Sequence, residues 1–227
     1  MRHPLPEAVL RALTLAPGII PLGILFGATA STLGLSAFAA VALSGLVFAG
    51  AAQFAALGLV AKGASWIAAT LLVLVINSRY FLLSAAALDL GRRNRASRAT
   101  RVLIALGVVD ESYALQAAWA KGGPVPPVGF VFVSATLWIL WVGSTWVGAF
   151  VGNRLPDLSL WGLDYALPGI AVGLLGIFAD TRARLLAGVG ALGAAAALTF
   201  AGLGVVAAVV VPPAFAFALG RWAPGAE

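Results

Sequence analysis

From Val128 to Val151 the chain carries no charged residue. A run of that length meets the ~20 residues that an α-helix needs to cross a bilayer's hydrocarbon core. A second run, Trp66 to Leu88, is apolar over a similar length, and its one charge is Arg79. Segments like these restrict the fold to structures that satisfy every backbone polar group without water, which means helices or a closed barrel. A barrel needs alternating short strands, and none is visible, so the chain reads as all-α. Composition extends the argument to the whole molecule. Of 227 residues, 62% are hydrophobic and 10% charged, against about 45–50% apolar and about 25% charged in soluble domains. With a mean hydropathy of +1.03, the chain reads as a polytopic helical membrane protein and a single integral membrane domain over 1–227.

The hydropathy pattern divides into eight apolar segments, roughly 14–34, 38–61, 66–88, 102–119, 128–151, 161–180, 185–200 and 203–220. The third and fifth are unambiguous spans. The seventh is short, and Gly188, Gly190 and Gly193 weaken a simple helix there. The first contains Pro17, Gly18, Pro21 and Gly23, and proline removes a backbone donor and clashes with the preceding turn, so a break is expected at those residues. Five of the 14 basic residues, Arg92, Arg93, Arg95, Arg98 and Arg101, lie in one short stretch. Following a span, they mark a cytoplasmic loop beside anionic lipid head groups. Three crossings before that loop put the N-terminus outside, whereas Arg2 and Arg11 favour it inside. A re-entrant or broken early segment removes the conflict, so seven full spans are expected rather than eight. Met1 to Arg11 has too little apolar length for a cleaved signal, and the first span is expected to serve as the insertion signal. Pro168-Gly-Ile170 partly echoes Pro17-Gly-Ile, the kind of match an inverted repeat with discontinuous helices leaves, although three identical residues also arise by chance.

Several function classes fall away. The chain has no cysteine and one histidine, His3, which excludes disulfides and thiolate sites and disfavours a resident metal. No nucleophile elbow, Walker loop, HExxH or dinucleotide fingerprint occurs, so no catalytic constellation and no cofactor is expected. The net charge of +6 sits in a loop between apolar runs, with no separate domain for nucleic-acid readout.

The polar residues inside the apolar segments carry the functional reading. Asp110 and Glu111 lie side by side between Val102 and Trp119, and Arg79 lies as deep in its own segment. Each ionisable group at that depth costs at least ~2.5–3.5 kcal/mol on insertion scales, so it needs a polar partner, a water-filled cavity or a task. Arg79 can be the counter-ion of Asp110 or Glu111, although desolvation often cancels the attraction. Asn77 and Arg79 project about 200° apart on a regular helix, and face one site only if the helix is distorted between them. The competing reading has Asn77 bonding a neighbouring helix while Arg79 snorkels. Asp110 and Glu111 differ by about 100°, and two carboxylates this close in a low dielectric are suited to proton coupling. One ionised carboxylate could instead bind a substrate ammonium, or both could lie at an interface. Gln53, after Gly50-Ala51-Ala52, is a candidate substrate hydrogen-bonding residue, while Gly45 and Ala49 have close-packing spacing. Tyr113 reads as packing around the acidic pair, and Trp66, Trp119, Trp138, Trp141, Trp146 and Trp161 as interface anchors or packing groups. Asp164 and Asp180 fall near segment ends, where solvent explains them as well as function does.

Taken in order, Pro17 to Gly27, Phe48-Ala-Gly-Ala-Ala-Gln53-Phe, Asn77-Ser-Arg79-Tyr80 and Asp110-Glu111-Ser-Tyr113 resemble the AzlC-type large subunit of branched-chain amino acid exporters. The resemblance runs along nearly the whole chain and is strongest from about 14 to 120. It implies a multi-pass bacterial inner-membrane protein of about seven helices that exports leucine, isoleucine, valine or analogues by secondary transport. It also implies a small AzlD-type membrane subunit as partner. Where that family commonly has Asn-Leu-Arg-His, this chain has Asn77-Ser78-Arg79-Tyr80, so no histidine is available for a proton role. A zwitterion with an aliphatic side chain needs a cationic or dipolar group, an anionic or carbonyl group, and an apolar pocket. Arg79 or the broken first helix, Asp110 or Glu111, and the surrounding Leu, Val and Phe supply the three. Lacking a nucleotide-binding motif, the chain is expected to couple to an ion gradient, with protons favoured by the carboxyls. A non-transporting assembly subunit and a channel are the alternatives, and saturable flux against a gradient separates a transporter from both.

Overall fold

The structure is a computed structural model and describes residues 4–152 and 182–202. Among these, every regular element is helical: α1 (Pro4–Leu13), α2 (Ala16–Thr32), α3 (Ala37–Val47), α4 (Gly50–Ala61), α5 (Trp66–Asn77), α6 (Arg79–Arg93), α7 (Arg98–Leu106), α8 (Asp110–Lys121), α9 (Pro127–Val151) and α10 (Arg182–Phe200).

Three connections use one sequence device. Gly34, Gly63 and Arg95 take left-handed backbone conformations, with φ of 85°, 84° and 59°. The residue after each donates its N–H five residues back, Leu35 to Ala30 O, Ala64 to Leu59 O and Ala96 to Gly91 O, the Schellman closure of a helix C-terminus. One residue further on, Ser36, Ser65 and Ser97 cap α3, α5 and α7, accepting from Ala39 N, Ala68 N and Thr100 N at 3.1, 3.3 and 3.1 Å. Stop and start signals are thus three residues long, and they join successive helices without a long loop. Glycine holds the left-handed position twice because it has no Cβ to clash; Arg95 holds it against that clash.

The long charge-free helix α9 is the hub, and α1, α2, α3, α7 and α8 all pack on it. Its buried face runs through Phe130, Val133, Leu137, Trp141, Thr145 and Ala149. The tightest seam lies between α2 and α9, where Gly23-xxx-Gly27 meets Gly148-xxx-Gly152. A Cβ on Gly27 would stand 2.6 Å from Ala149 N, and one on Gly148 would stand 2.7 Å from the Ile24 carbonyl carbon, so backbones touch there. Such small-residue contacts let helices associate where lipid removes the hydrophobic drive. Ser44 Oγ and Thr145 Oγ1, 2.7 Å apart and buried, pin α3 to the same hub.

Among the described residues, two helical stretches, 66–93 and 127–151, are long and apolar enough to cross a membrane, and a third qualifies if α1 and α2, bent by 65°, form one span. The two long stretches coincide with the segments the sequence marked as unambiguous. Elsewhere the segment map changes. Segments 38–61 and 102–119 are pairs of short helices, because the chain leaves helical geometry at Phe48–Ala49 and at 107–109. The expected break at Pro17, Gly18, Pro21 and Gly23 lies earlier, at Thr14 and Leu15. Pro17 falls in the first turn of α2, where a missing N–H costs nothing, and α2 continues through Pro21. Helix α10 runs unbroken through Gly188, Gly190 and Gly193, contrary to the weak helix expected there. Segments 161–180 and 203–220, the Pro168-Gly-Ile170 echo, Trp161, Asp164 and Asp180 lie outside the described residues.

Candidate functional site

Three interrupted helix pairs bring their breaks together. The first is α5–α6. Helix α5 ends at Asn77, Ser78 turns with its hydroxyl on Val75 O at 2.7 Å, and α6 starts at Arg79. Ser78 itself keeps helical angles, φ −54° and ψ −27°, so the interruption is confined to one residue. The second is α7–α8, where Gly107, Val108 and Val109 separate the helices and Ser112 Oγ accepts from Val109 N at 2.9 Å. That bond closes the first turn of α8 in the manner of a capping box. Asp110 and Glu111 therefore occupy the N-terminal turn of α8 rather than the middle of a span. Carboxylates are favoured in that position by the helix dipole and by free backbone N–H groups.

The two breaks are joined by an ion pair, with Arg79 Nη2 2.8 Å from Asp110 Oδ2 and the side chains 21% and 30% exposed. The guanidinium also lies over the Tyr80 ring, 5.2 Å from its centroid, a favourable cation–π placement. Glu111 has no ion-pair partner among the described residues. Asn77 Oδ1 and Arg79 Nε are buried there without a hydrogen-bond partner, so the ion pair leaves one acceptor and one donor available.

The third break, α3–α4, puts Phe48 in the left-handed region with a φ of 42°. Gln53 holds it. Its Oε1 accepts from Ala49 N at 3.2 Å and from the buried Trp141 indole at 3.1 Å, which ties α4 to α9. Gln53, a candidate substrate hydrogen-bonding residue in the sequence, caps a break through its carbonyl, and its Nε2 is without a partner among the described residues. Tyr113 packs against the main hydrophobic core. Of the residues expected at the first break, Gly23 packs on Ser144 of α9, and the structure does not bring Pro17, Gly18 or Pro21 to the ion pair.

A cavity of about 370 Å³ opens where the three breaks meet. Its walls are the end of α3 from Gly45 to Phe48, Tyr80, the α7 end with Gly107–Val109, and Val131, Ser134, Ala135 and Trp138 of α9. The size falls in the ~300–1,000 Å³ range of ligand pockets. Tyr80 and Val109, the chain neighbours of Arg79 and Asp110, contribute directly, so apolar walls and the ion pair adjoin.

Sequence reasoning missed a buried polar group behind this cavity. Gln116 donates through Nε2 to Phe130 O and to Ser134 Oγ, both at 3.0 Å. Ser112, Gln116 and Ser134 are almost wholly buried. The signal was present: Ser112 and Gln116 are four apart and share a helix face just after the acidic pair. The facing Gly-xxx-Gly motifs were equally legible.

A family model described as AzlC protein matches residues 14–155, which contain all three breaks and the ion pair. Inner membrane protein YgaZ of Escherichia coli is 33% identical over 147 residues, covering 60% of this chain and 56% of that protein. Branched-chain amino acid transport protein AzlC of Bacillus subtilis is 24% identical over 156 residues, covering 68% of this chain and 60% of that protein. The chain thus spans less than two thirds of the length of these relatives. No solved structure matches.

Proposed function

The chain belongs to the AzlC family, and on that premise we propose that it is a membrane transporter that exports branched-chain amino acids across the bacterial inner membrane. It acts as the large subunit of a two-component permease, without enzymatic chemistry and without a cofactor. The observation that carries this reading is the Arg79–Asp110 pair, joining two helix breaks beside an apolar cavity. A zwitterion with an aliphatic side chain asks for that combination: opposite charges for its two ionic groups and a dry wall for the rest. Discontinuous helices are the usual membrane setting for such sites, since interrupted backbone at membrane depth is tolerated only where protein buries it or a cavity is lined.

In this mechanism the amino acid enters between the breaks. Its carboxylate competes for Arg79, its ammonium for Asp110 or Glu111, and its side chain lies along the cavity wall. Exchange of a proton at the carboxyl pair couples the cycle to the pH gradient. A small AzlD-type subunit covers part of the exposed apolar surface, and about seven spans complete the fold.

Leucine and isoleucine flux in proteoliposomes, measured for the chain with its small subunit and with or without an imposed pH gradient, tests the proposal. Gradient-driven accumulation that disappears in Arg79→Ala and Asp110→Asn is expected. Absence of flux in a folded complex refutes transport of these substrates and turns the reading to a structural subunit. Flux indifferent to the gradient and to Asp110→Asn and Glu111→Gln refutes proton coupling alone.

A further inference from the structure

Behind the cavity wall, the polarity of one hydrogen-bond chain is determined by its first member. Phe130 O can only accept, so the Gln116 amide facing it at 3.0 Å must present its NH₂ group. That group's second hydrogen goes to Ser134 Oγ, also at 3.0 Å. Flipping the amide would set two acceptors, Gln116 Oε1 and Phe130 O, against each other. Ser134 Oγ therefore accepts, and its own proton must point elsewhere. Among the described residues it donates to nothing, Gln116 Oε1 being turned away from it by the amide orientation, and Ser134 is 4% exposed and lines the cavity. A buried hydroxyl with an uncommitted proton is costly unless something accepts it.

The position of the hydroxyl is also confined. Gly107, in the α7–α8 break, lies so close that a Cβ there would stand 3.0 Å from Ser134 Cβ and 3.4 Å from its Oγ. The glycine leaves room for Ser134 on one side and Gln116 holds it on the other. The result is a confined hydroxyl in the α9 part of the cavity wall, between Val131 and Trp138.

We propose that Ser134 is a substrate-binding residue whose hydroxyl donates to a carboxylate oxygen of the transported amino acid, and that Gln116 is the positioning residue that keeps it a donor. This rests on the transport reading and deepens it: the cavity recognises a carboxylate through a neutral donor, not through Arg79 alone. Gln116 already occupies one lone pair of Ser134 Oγ, and the proton left over is a group that a carboxylate accepts and an ammonium cannot.

The test is equilibrium binding to the purified chain with its small subunit, using leucine and 3-methylbutylamine, which is leucine without its carboxylate. Ser134→Ala is expected to raise the Kd for leucine about tenfold or more, the effect of one hydrogen bond to a charged group, and to leave competition by the amine unchanged. Gln116→Met is expected to weaken leucine similarly, and the double variant to be no worse than Ser134→Ala, because both act through one bond. Melting temperatures of the variants establish that each is folded. Unchanged leucine affinity in Ser134→Ala, or equal weakening of both ligands, overturns the assignment, and additive losses in the double variant overturn the role of Gln116. A folded parent that neither binds nor carries leucine refutes the transport reading itself; a parent that binds it with Ser134→Ala unaffected refutes this inference only.

Discussion

Removing one partner of the Arg79–Asp110 pair leaves the other charge unpaired in a setting that excludes most water, whereas removing both eliminates the problem. With a fifth to a third of each side chain exposed, the single variants Arg79→Ala and Asp110→Ala should each lose about 1–3 kcal/mol of stability. The double variant should lose less than either. Thermal unfolding of the four proteins in detergent measures this, and additive losses would show that the pair contributes nothing to the fold. Gln53 makes a different kind of prediction. Because its carbonyl accepts from Ala49 N and from the Trp141 indole, Gln53→Ala orphans two buried donors. It should cost about 2 kcal/mol or more, seen as a lowered melting temperature, with transport affected through folded yield rather than substrate affinity. A raised KM at unchanged stability would return Gln53 to the substrate.

Between elements, the α2–α9 seam and the three Gly/Arg-to-Ser connections decide how helices meet. Gly27→Ala puts a methyl group into the backbone of Thr145 and Ala149. Neither can move without shifting α9, so a loss of about 3 kcal/mol or more is expected. At Gly143 of the same helix an added Cβ meets nothing among the described residues, and Gly143→Ala should gain up to about 1 kcal/mol from helix propensity. Fluorescence-detected size-exclusion after heating separates the two; equal behaviour would mean that the seam is looser than its geometry. The connection at Arg95 carries the strain that its two glycine counterparts avoid. Arg95→Gly should raise stability by about 1 kcal/mol, and a fall would show that its side chain outweighs its backbone.

For the molecule as a whole, the cluster at Arg92, Arg93, Arg95 and Arg98 is exposed at one end of α6 and α7, where the positive-inside rule places the cytoplasm. The chain has no cysteine, so Arg92→Cys reports sidedness by itself. A membrane-impermeant maleimide should label it in inside-out vesicles and not in right-side-out ones; the reverse pattern inverts the topology. The class of this protein, the helical character of its described residues, its two long apolar stretches at 66–93 and 127–151 and the residues of its ion pair were all legible in the sequence. Hydropathy and the cost of buried charge act locally, and a charge-free run such as 128–151 has one stable solution in lipid. The device at Gly34, Gly63 and Arg95 was legible too in its serine caps, which act within one turn. What the sequence did not decide was where helices break and what the breaks face. Phe48 and Val108 carry no breaker chemistry, while Pro21, which does, sits inside an unbroken helix. Local propensity at such positions amounts to a few kcal/mol at most. Contacts from distant parts of the chain outweigh it: Gln53 and Trp141 at one break, and Ser134 against Gly107 at another. Bonds within a turn shape each break, but tertiary packing brought the breaks, the ion pair and the Ser134 hydroxyl around a common cavity, through partners far apart in sequence.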